Sequence, residues 1–253
     1  MKVIAVTQAR YGSSRLPGKI LKDINGKTLL EIHLSRILKS ALIQKLVVAT
    51  TTEPGAEQIE AVAMKLGIRS YKGSVDDVLE RFYFSIRNES PDYVVRLTSD
   101  CPLIDPNEID KVISTCIEGG FDYASNALEP TLPDGLDTEV FKFSALERAY
   151  NEASMKSDRE HVTPYIWRNS SVKGGTFFHS LSVKNSVDYS KYRITVDNPK
   201  DFEVIECLVK RLGDDKGWKE YINYLDANPS LLEVNASEER NAGYYKSLEN
   251  DKK

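Results

Sequence analysis

The stretch TQARYGSSRLPGK, residues 7–19, carries three cations, Arg10, Arg15 and Lys19, among Gly12, Ser13, Ser14 and Gly18. Guanidinium and ammonium groups beside loop N–H groups suit a polyphosphate. Two distant acids could complement such a loop. Asp100 closely follows the apolar run 93–97, and Asp197 follows 192–196. Two carboxylates beside a triphosphate would suit Mg2+, a hard ion that often shares oxygen ligands with phosphates. Each acid also has a plainer reading, as the cap of the turn or helix after its strand. Asp134, Asp137 and Glu139 form a further acidic group, equally readable as a turn with Asp134-Gly135 at its tip.

The elements that must position these residues alternate. Val3-Ile4-Ala5-Val6 reads as a buried strand, and Leu29, Leu30, Leu34, Ile37 and Leu38 share one helical face after it. Strands follow at 45–50 and 93–97, and helices at about 59–66, 78–86 and 109–116. The pattern predicts an α/β fold with a doubly wound, mainly parallel sheet, in which Arg10, Asp100 and Asp197 share one sheet edge. Ser74 to Asp77 resembles a capping box with Asp in place of Glu. Glu80 and Arg81 then approach a ligand or lie on a solvated face. Asp105, Pro106 and Glu108 mark a helix start, as do Asn198 and Pro199.

Beyond residue 120 the alternation loosens. Strands are expected at 121–126 and 176–183, with a long loop around Pro130, Pro133 and Gly135 leading into the run 138–141, and helices from Ser144 and over 158–168, the latter bent by Pro164. The stretch 192–196 is expected as the last core strand. This gives one domain over 1–212 with an inserted lobe at about 127–190, followed by a helical extension over 213–253 with a mobile end.

The loop matches neither common phosphate pattern. Ile20 follows Lys19 where the ATP-binding loop needs Ser or Thr, and Gly12 and Gly18 are too widely spaced for a dinucleotide fingerprint. With 253 residues and a net charge of -4, nonspecific nucleic-acid binding is not expected. Cys101, Cys116 and Cys207 show neither zinc spacing nor a disulfide framework, which fits a reducing cytoplasm. A strand and charged loop stand where an apolar leader would, and no run is long enough to span a bilayer, so no membrane partner is expected.

The order Arg10-x-x-Ser13-Ser14-Arg15-Leu16-Pro17-Gly18-Lys19 resembles the nucleotide-binding signature of cytidylyltransferases that make CMP-activated sugar acids, the CMP-Kdo synthetases and acylneuraminate cytidylyltransferases. The sequence also resembles their relative, the spore-coat polysaccharide biosynthesis family. Asp100-Cys101-Pro102 resembles the family's Mg2+-holding Asp-x-Pro. Residues 195–201, TVDNPKD, resemble its second-metal segment, usually Asp-Thr-Pro-Glu-Asp; Asn198 and Lys200-Asp201 depart in type, while Asp197 is retained. Thr51 stands where Kdo-type enzymes often carry Asp, which argues against a strict CMP-Kdo synthetase.

The resemblance implies a nucleotide-diphospho-sugar transferase-like, Rossmann-like fold and a CTP-dependent transfer of CMP to an acidic sugar, with release of pyrophosphate. Ala9, Arg10, Gly12, Ser13, Ser14, Arg15, Lys19 and Thr98 would bind nucleotide, with Arg15 and Lys19 on the β- and γ-phosphates. Asp100 and Asp197 would hold Mg2+. Asp134, Asp137, Glu139, Arg159 and His161 would meet the acceptor. The resemblance alone supplies cytosine specificity. A homodimer is implied too, with Phe141, Phe143, Tyr150, Tyr165 and Trp167 either at its contact or in the core. Two other readings stand beside this one: a sugar-1-phosphate nucleotidylyltransferase, which needs an extra cation at the α-phosphorus, and a nucleotide-sugar-binding protein without turnover.

Overall fold

The computed structural model describes residues 1–13 and 15–252. In chain order it contains β1 (Val3–Gln8), a short ribbon of β2 (Asp23–Ile24) and β3 (Lys27–Thr28), α1 (Leu29–Ile37), β4 (Lys45–Thr51), α2 (Ala56–Lys65), β5 (Arg69–Gly73), α3 (Val78–Ile86), β6 (Tyr93–Thr98) and α4 (Pro106–Glu118). There follow β7 (Tyr123–Ser125), β8 (Glu139–Lys142), α5 (Phe143–Glu152), α6 (Lys156–His161), α7 (Pro164–Arg168), β9 (Ser180–Ser182), α8 (Pro199–Leu212), α9 (Trp218–Ala227), α10 (Pro229–Leu232) and α11 (Ala242–Asp251).

The main sheet runs β5-β4-β1-β6-β8-β7-β9. The first four strands are parallel; β8 is antiparallel to both β6 and β7, and β9 is parallel to β7. This is the expected doubly wound, mainly parallel α/β sheet. From β1 the chain steps outward to β4 and β5, then returns to β6 on the other side of β1. The strand order therefore reverses between β1 and β6, and the loops leaving these two strands flank the crevice where such folds bind ligands.

The period of two explains the layers. Val3 and Ala5 face one side of the sheet with Leu30, Leu34, Ile59, Ile109 and Val112, whereas Ile4 and Val6 face the other with Leu79, Phe82 and Leu146. Full burial of each such Ile or Leu side chain contributes roughly 1.5–3 kcal/mol, so register is strongly specified. A third core packs α8 and α9 against Leu29, Ile32, Leu103 and Ile194.

Several expectations are corrected. The stretch 192–196 makes a single parallel bridge, Asp134 to Arg193, and is not a sheet strand. Its other backbone bonds go to loops, including Val196 N–H to the Asp100 carbonyl at 2.8 Å. The stretch 127–190 supplies β8 and β9 to the main sheet, so it shares the core sheet. The helix expected over 158–168 is two helices, because Val162 takes φ 71° and Pro164 restarts the chain as the first residue of α7. The cap of α3 is Asp77, which accepts from Glu80 N–H, while Ser74 accepts from Asp77 N–H one turn earlier. The end expected to be mobile forms α11, which packs on α6.

Candidate active site

The Lys19 ammonium is the centre of the site. Its Nζ donates to Asp100 Oδ2 at 3.1 Å, Asp197 Oδ1 at 3.0 Å and the Val196 carbonyl at 2.7 Å. Three donor protons thus meet three oxygens. Arg15 reaches the same Asp197 oxygen at 2.8 Å. Burial alone would lower the Lys19 pKa, but Asp100 and Asp197 outweigh it and raise the value. Burial would likewise raise Asp100, yet the Lys19 charge holds it well below the usual carboxylate range. Asp100 is therefore ionised at neutral pH.

Local structure explains the convergence. The 9–19 loop is closed by Gly18 N–H to the Tyr11 carbonyl at 3.1 Å, with Gly18 at φ 65°, a conformation that suits glycine. The Asp100 turn is pinned from two sides. His33 Nδ1 bonds the Cys101 carbonyl at 2.8 Å, and its Nε2 meets Thr7 Oγ1 at 2.9 Å. A carbonyl can only accept, so Nδ1 carries the proton and Nε2 accepts from Thr7. Burial lowers His33 to about 4 and keeps it neutral. From the other side, Thr195 Oγ1 donates to the Asp100 carbonyl at 3.0 Å.

Asp197 is fixed by Arg193, which sits inside an apolar run and is 7 % exposed. Arg193 bonds Asp201 through Nε and Nη2 at 2.8 and 2.9 Å, Asp197 at 3.1 Å and Asp134 at 2.5 Å. Asp201 closes the capping box with Asn198 at the start of α8 and accepts from Asp197 N–H at 2.9 Å. Gly135, at φ 113°, lets the Asp134–Asp137 turn lie against this segment; a Cβ there would stand 2.7 Å from the Ile194 carbonyl carbon.

A cleft of about 1030 Å³ joins these groups. Ala9, Arg10, Ser13, Arg15, Lys19 and Thr98 line it, together with Asp100, Asp197 and all five residues expected at the acceptor, Asp134, Asp137, Glu139, Arg159 and His161. Two expected nucleotide contacts differ. Gly12 is outside the lining and its N–H is given to Glu53 Oε1 at 2.9 Å. Ser14 lies outside the described residues.

Within the cleft several expected ligand groups have protein partners. Glu139 pairs with Arg96 and accepts from Tyr123 and Thr163, both at 2.6 Å. Arg159 holds Asp77 through Nη2 at 2.6 Å. Asp137 pairs with Arg240. Burial, then the Asp137 charge, raises Asp134 to about 7, and burial raises Asp137 as well.

Arg81 is the half of Glu80-Arg81 that the fold draws inward. It is 2 % exposed and lines the cleft; among the described residues it forms no ion pair, and its Nε has no partner. Burial, then Arg10, lowers it to about 10. Cys101 is an unsuitable nucleophile, since burial pushes its thiol well up.

Sequence reasoning missed Arg193, Arg240 and Asp201. The first and last left signals. An arginine inside an apolar run needs buried partners, and Asn-Pro-x-Asp has the spacing of a capping box.

The donor set fits a hard divalent cation. Among the described residues no three His, Cys, Asp or Glu side chains gather to hold a metal alone. Asp100 and Asp197 would supply two oxygen ligands and leave most of an octahedral shell to water and phosphate oxygens, as Mg2+ prefers.

Comparison with known proteins gives concordant matches. The cytidylyltransferase family model matches residues 4–244. An uncharacterized protein of Methanocaldococcus jannaschii is 36% identical over 238 residues, covering 94% of this chain and 96% of that one. The spore coat polysaccharide biosynthesis protein SpsF of Bacillus subtilis is 32% identical, covering 90% and 95%. A solved cytidylyltransferase from Leptospira borgpetersenii superposes with a TM-score of 0.85 at 33% identity, covering 92% of this chain and 97% of that one.

Proposed function

We propose, from the premise that this chain belongs to the cytidylyltransferase family, that it transfers CMP from CTP to an acidic sugar of the ulosonic or sialic type and releases pyrophosphate. The product would feed synthesis of a surface polysaccharide or glycan. The observation that carries this reading is the meeting of Lys19 with Asp100 and Asp197 at the head of a cleft that Asp134 and Asp137 also line.

Arg15 and Lys19 bind the β- and γ-phosphates and neutralise charge on the leaving pyrophosphate. Ala9, Arg10 and Ser13 line the nucleotide end. Arg81 offers a guanidinium without a carboxylate partner to an oxygen of the nucleotide. Asp100 and Asp197 would hold Mg2+, which supplies polarisation of the phosphates when bound. Arg193 keeps the Asp197 carboxylate oriented. The anomeric hydroxyl of the sugar attacks the α-phosphorus, so no protein nucleophile is required, and positioning with charge neutralisation carries the rate. Asp134, Asp137, Arg159 and His161 line the acceptor end.

Among the described residues no helix is long and apolar enough to cross a membrane. We place the protein in the cytoplasm as a homodimer. The half-buried ring stack of Tyr83, Phe143 and Tyr150 supports the dimer, and sedimentation at several concentrations tests it.

The experiment is a screen of sugar acids with CTP and Mg2+, read by the mass of the CMP conjugate. The expected result is one conjugate per pyrophosphate released. Turnover of sugar 1-phosphates in place of sugar acids would overturn the reading in favour of the other enzyme class.

A further inference from the structure

The segment after α10 runs from the Asn198–Asp201 side of the fold to α6, and its residues 241–245 line the cleft. Asn235 Nδ2 donates to Asp201 at 2.9 Å, behind Asp197. Asn198 Nδ2 reaches Glu238 at 2.9 Å. Arg240 then pairs with Asp137 and donates to the Leu132 carbonyl at 3.1 Å. Finally α11 docks on α6. Ser247 Oγ donates to Glu160 at 2.7 Å and sits 3.0 Å from His161 Nε2; its single proton goes to the carboxylate, so His161 donates. Asp251 accepts from Ser157 N–H at 3.1 Å.

This path brings Tyr244 to the cleft wall. Its ring packs edge-on against Trp167 at 5.9 Å and against His161 at 5.2 Å. Leu128 and Pro164 line the same cleft. The cleft thus carries apolar and aromatic side chains as well as the ionised groups around Lys19. Hydroxyl groups alone would gain little from such a wall, whereas an acyl or methyl group would bury apolar area there.

We propose that residues 240–245 complete the acceptor site, with Tyr244 and Trp167 receiving an apolar substituent of the sugar acid. The inference rests on the acidic-sugar reading above and adds to it where acceptor choice is made. Arg240 serves the same wall by neutralising Asp137, which would otherwise face an acceptor carboxylate as a bare like charge.

The test compares two probes, Kdo, which carries hydroxyls, and N-acetylneuraminate, which carries an acylamido group, each with CTP and Mg2+. Wild type should prefer N-acetylneuraminate in kcat/KM by tenfold or more. Tyr244→Ala should raise the KM for that acid about tenfold and leave the KM for CTP within about twofold; Tyr244→Phe should retain wild-type values. A wild-type preference for Kdo overturns the inference without any variant. So does a Tyr244→Ala enzyme whose acceptor KM is unchanged, or whose CTP KM rises equally. Failure of wild type with both probes overturns the inference. If sugar 1-phosphates then turn over, the acidic-sugar reading fails too; if another sugar acid does, that reading survives.

Discussion

Lys19 and Asp197 are separated by 178 positions, yet Nζ and Oδ1 lie 3.0 Å apart, with Asp100 on the same ammonium. One cation thus holds together two acids that would otherwise repel. In the proposed mechanism this is the group that the nucleotide phosphates and a divalent ion would meet.

Removing that cation exposes the acid pair. Lys19→Met should abolish turnover, by about 10²-fold or more, while letting Mn2+ bind without nucleotide. Calorimetric titration with Mn2+ alone should show affinity above wild type by about tenfold, the equivalent of roughly 1.4 kcal/mol from the lost competing ion pair. Equal or weaker Mn2+ binding would mean that the two carboxylates do not form a cation site.

Arg193 is the support behind Asp197. Its guanidinium serves Asp134, Asp197 and Asp201, the last fully buried. Arg193→Met leaves these carboxylates without their shared cation and should cost about 3–5 kcal/mol in urea unfolding. Loss under about 1 kcal/mol would show that solvent already screens the network.

Backbone conformation brings Asp134 and Asp137 to the cleft. Gly135→Ala combines φ 113° with a Cβ contact of 2.7 Å on the Ile194 backbone. It should destabilise by roughly 3 kcal/mol or more, and a thermal melt will show it. Gly12→Ala meets only the Glu53 carboxylate, which must move off the Gly12 N–H it accepts, and should cost about 1 kcal/mol, less than Gly135→Ala.

The buried His33 sets a pH limit. Its folded pKa of about 4 lies below the unfolded value near 6.5, so the unfolded chain takes up the proton first. The stability it contributes is present above pH 6.5 and is lost as pH falls toward 4, by roughly 3 kcal/mol in all. His33→Gln should flatten that part of the urea-unfolding profile; an unchanged slope would place the titration elsewhere.

The end of the cleft around Lys19 was legible in the sequence because it depends on local pattern. Apolar runs followed by Arg10 and Asp100 mark parallel strand ends, and strand alternation fixes their common edge. The segment before Asp197 brings that carboxylate to Lys19 although it does not join the sheet. What stayed hidden was tertiary pairing. Nothing near Arg240 in sequence points to Asp137, and the apolar face of α11 is too weak to predict its docking on α6. The break at Val162 was half legible, since Pro164 marked where a helix had to restart.

The most direct test of the central claim is pyrophosphate release from CTP and Mg2+ in the presence of a productive sugar acid, for wild type and Asp100→Asn, with thermal melts alongside. The account predicts a loss of about 10²-fold or more in kcat for a variant that stays folded. Wild-type turnover by folded Asp100→Asn would contradict it.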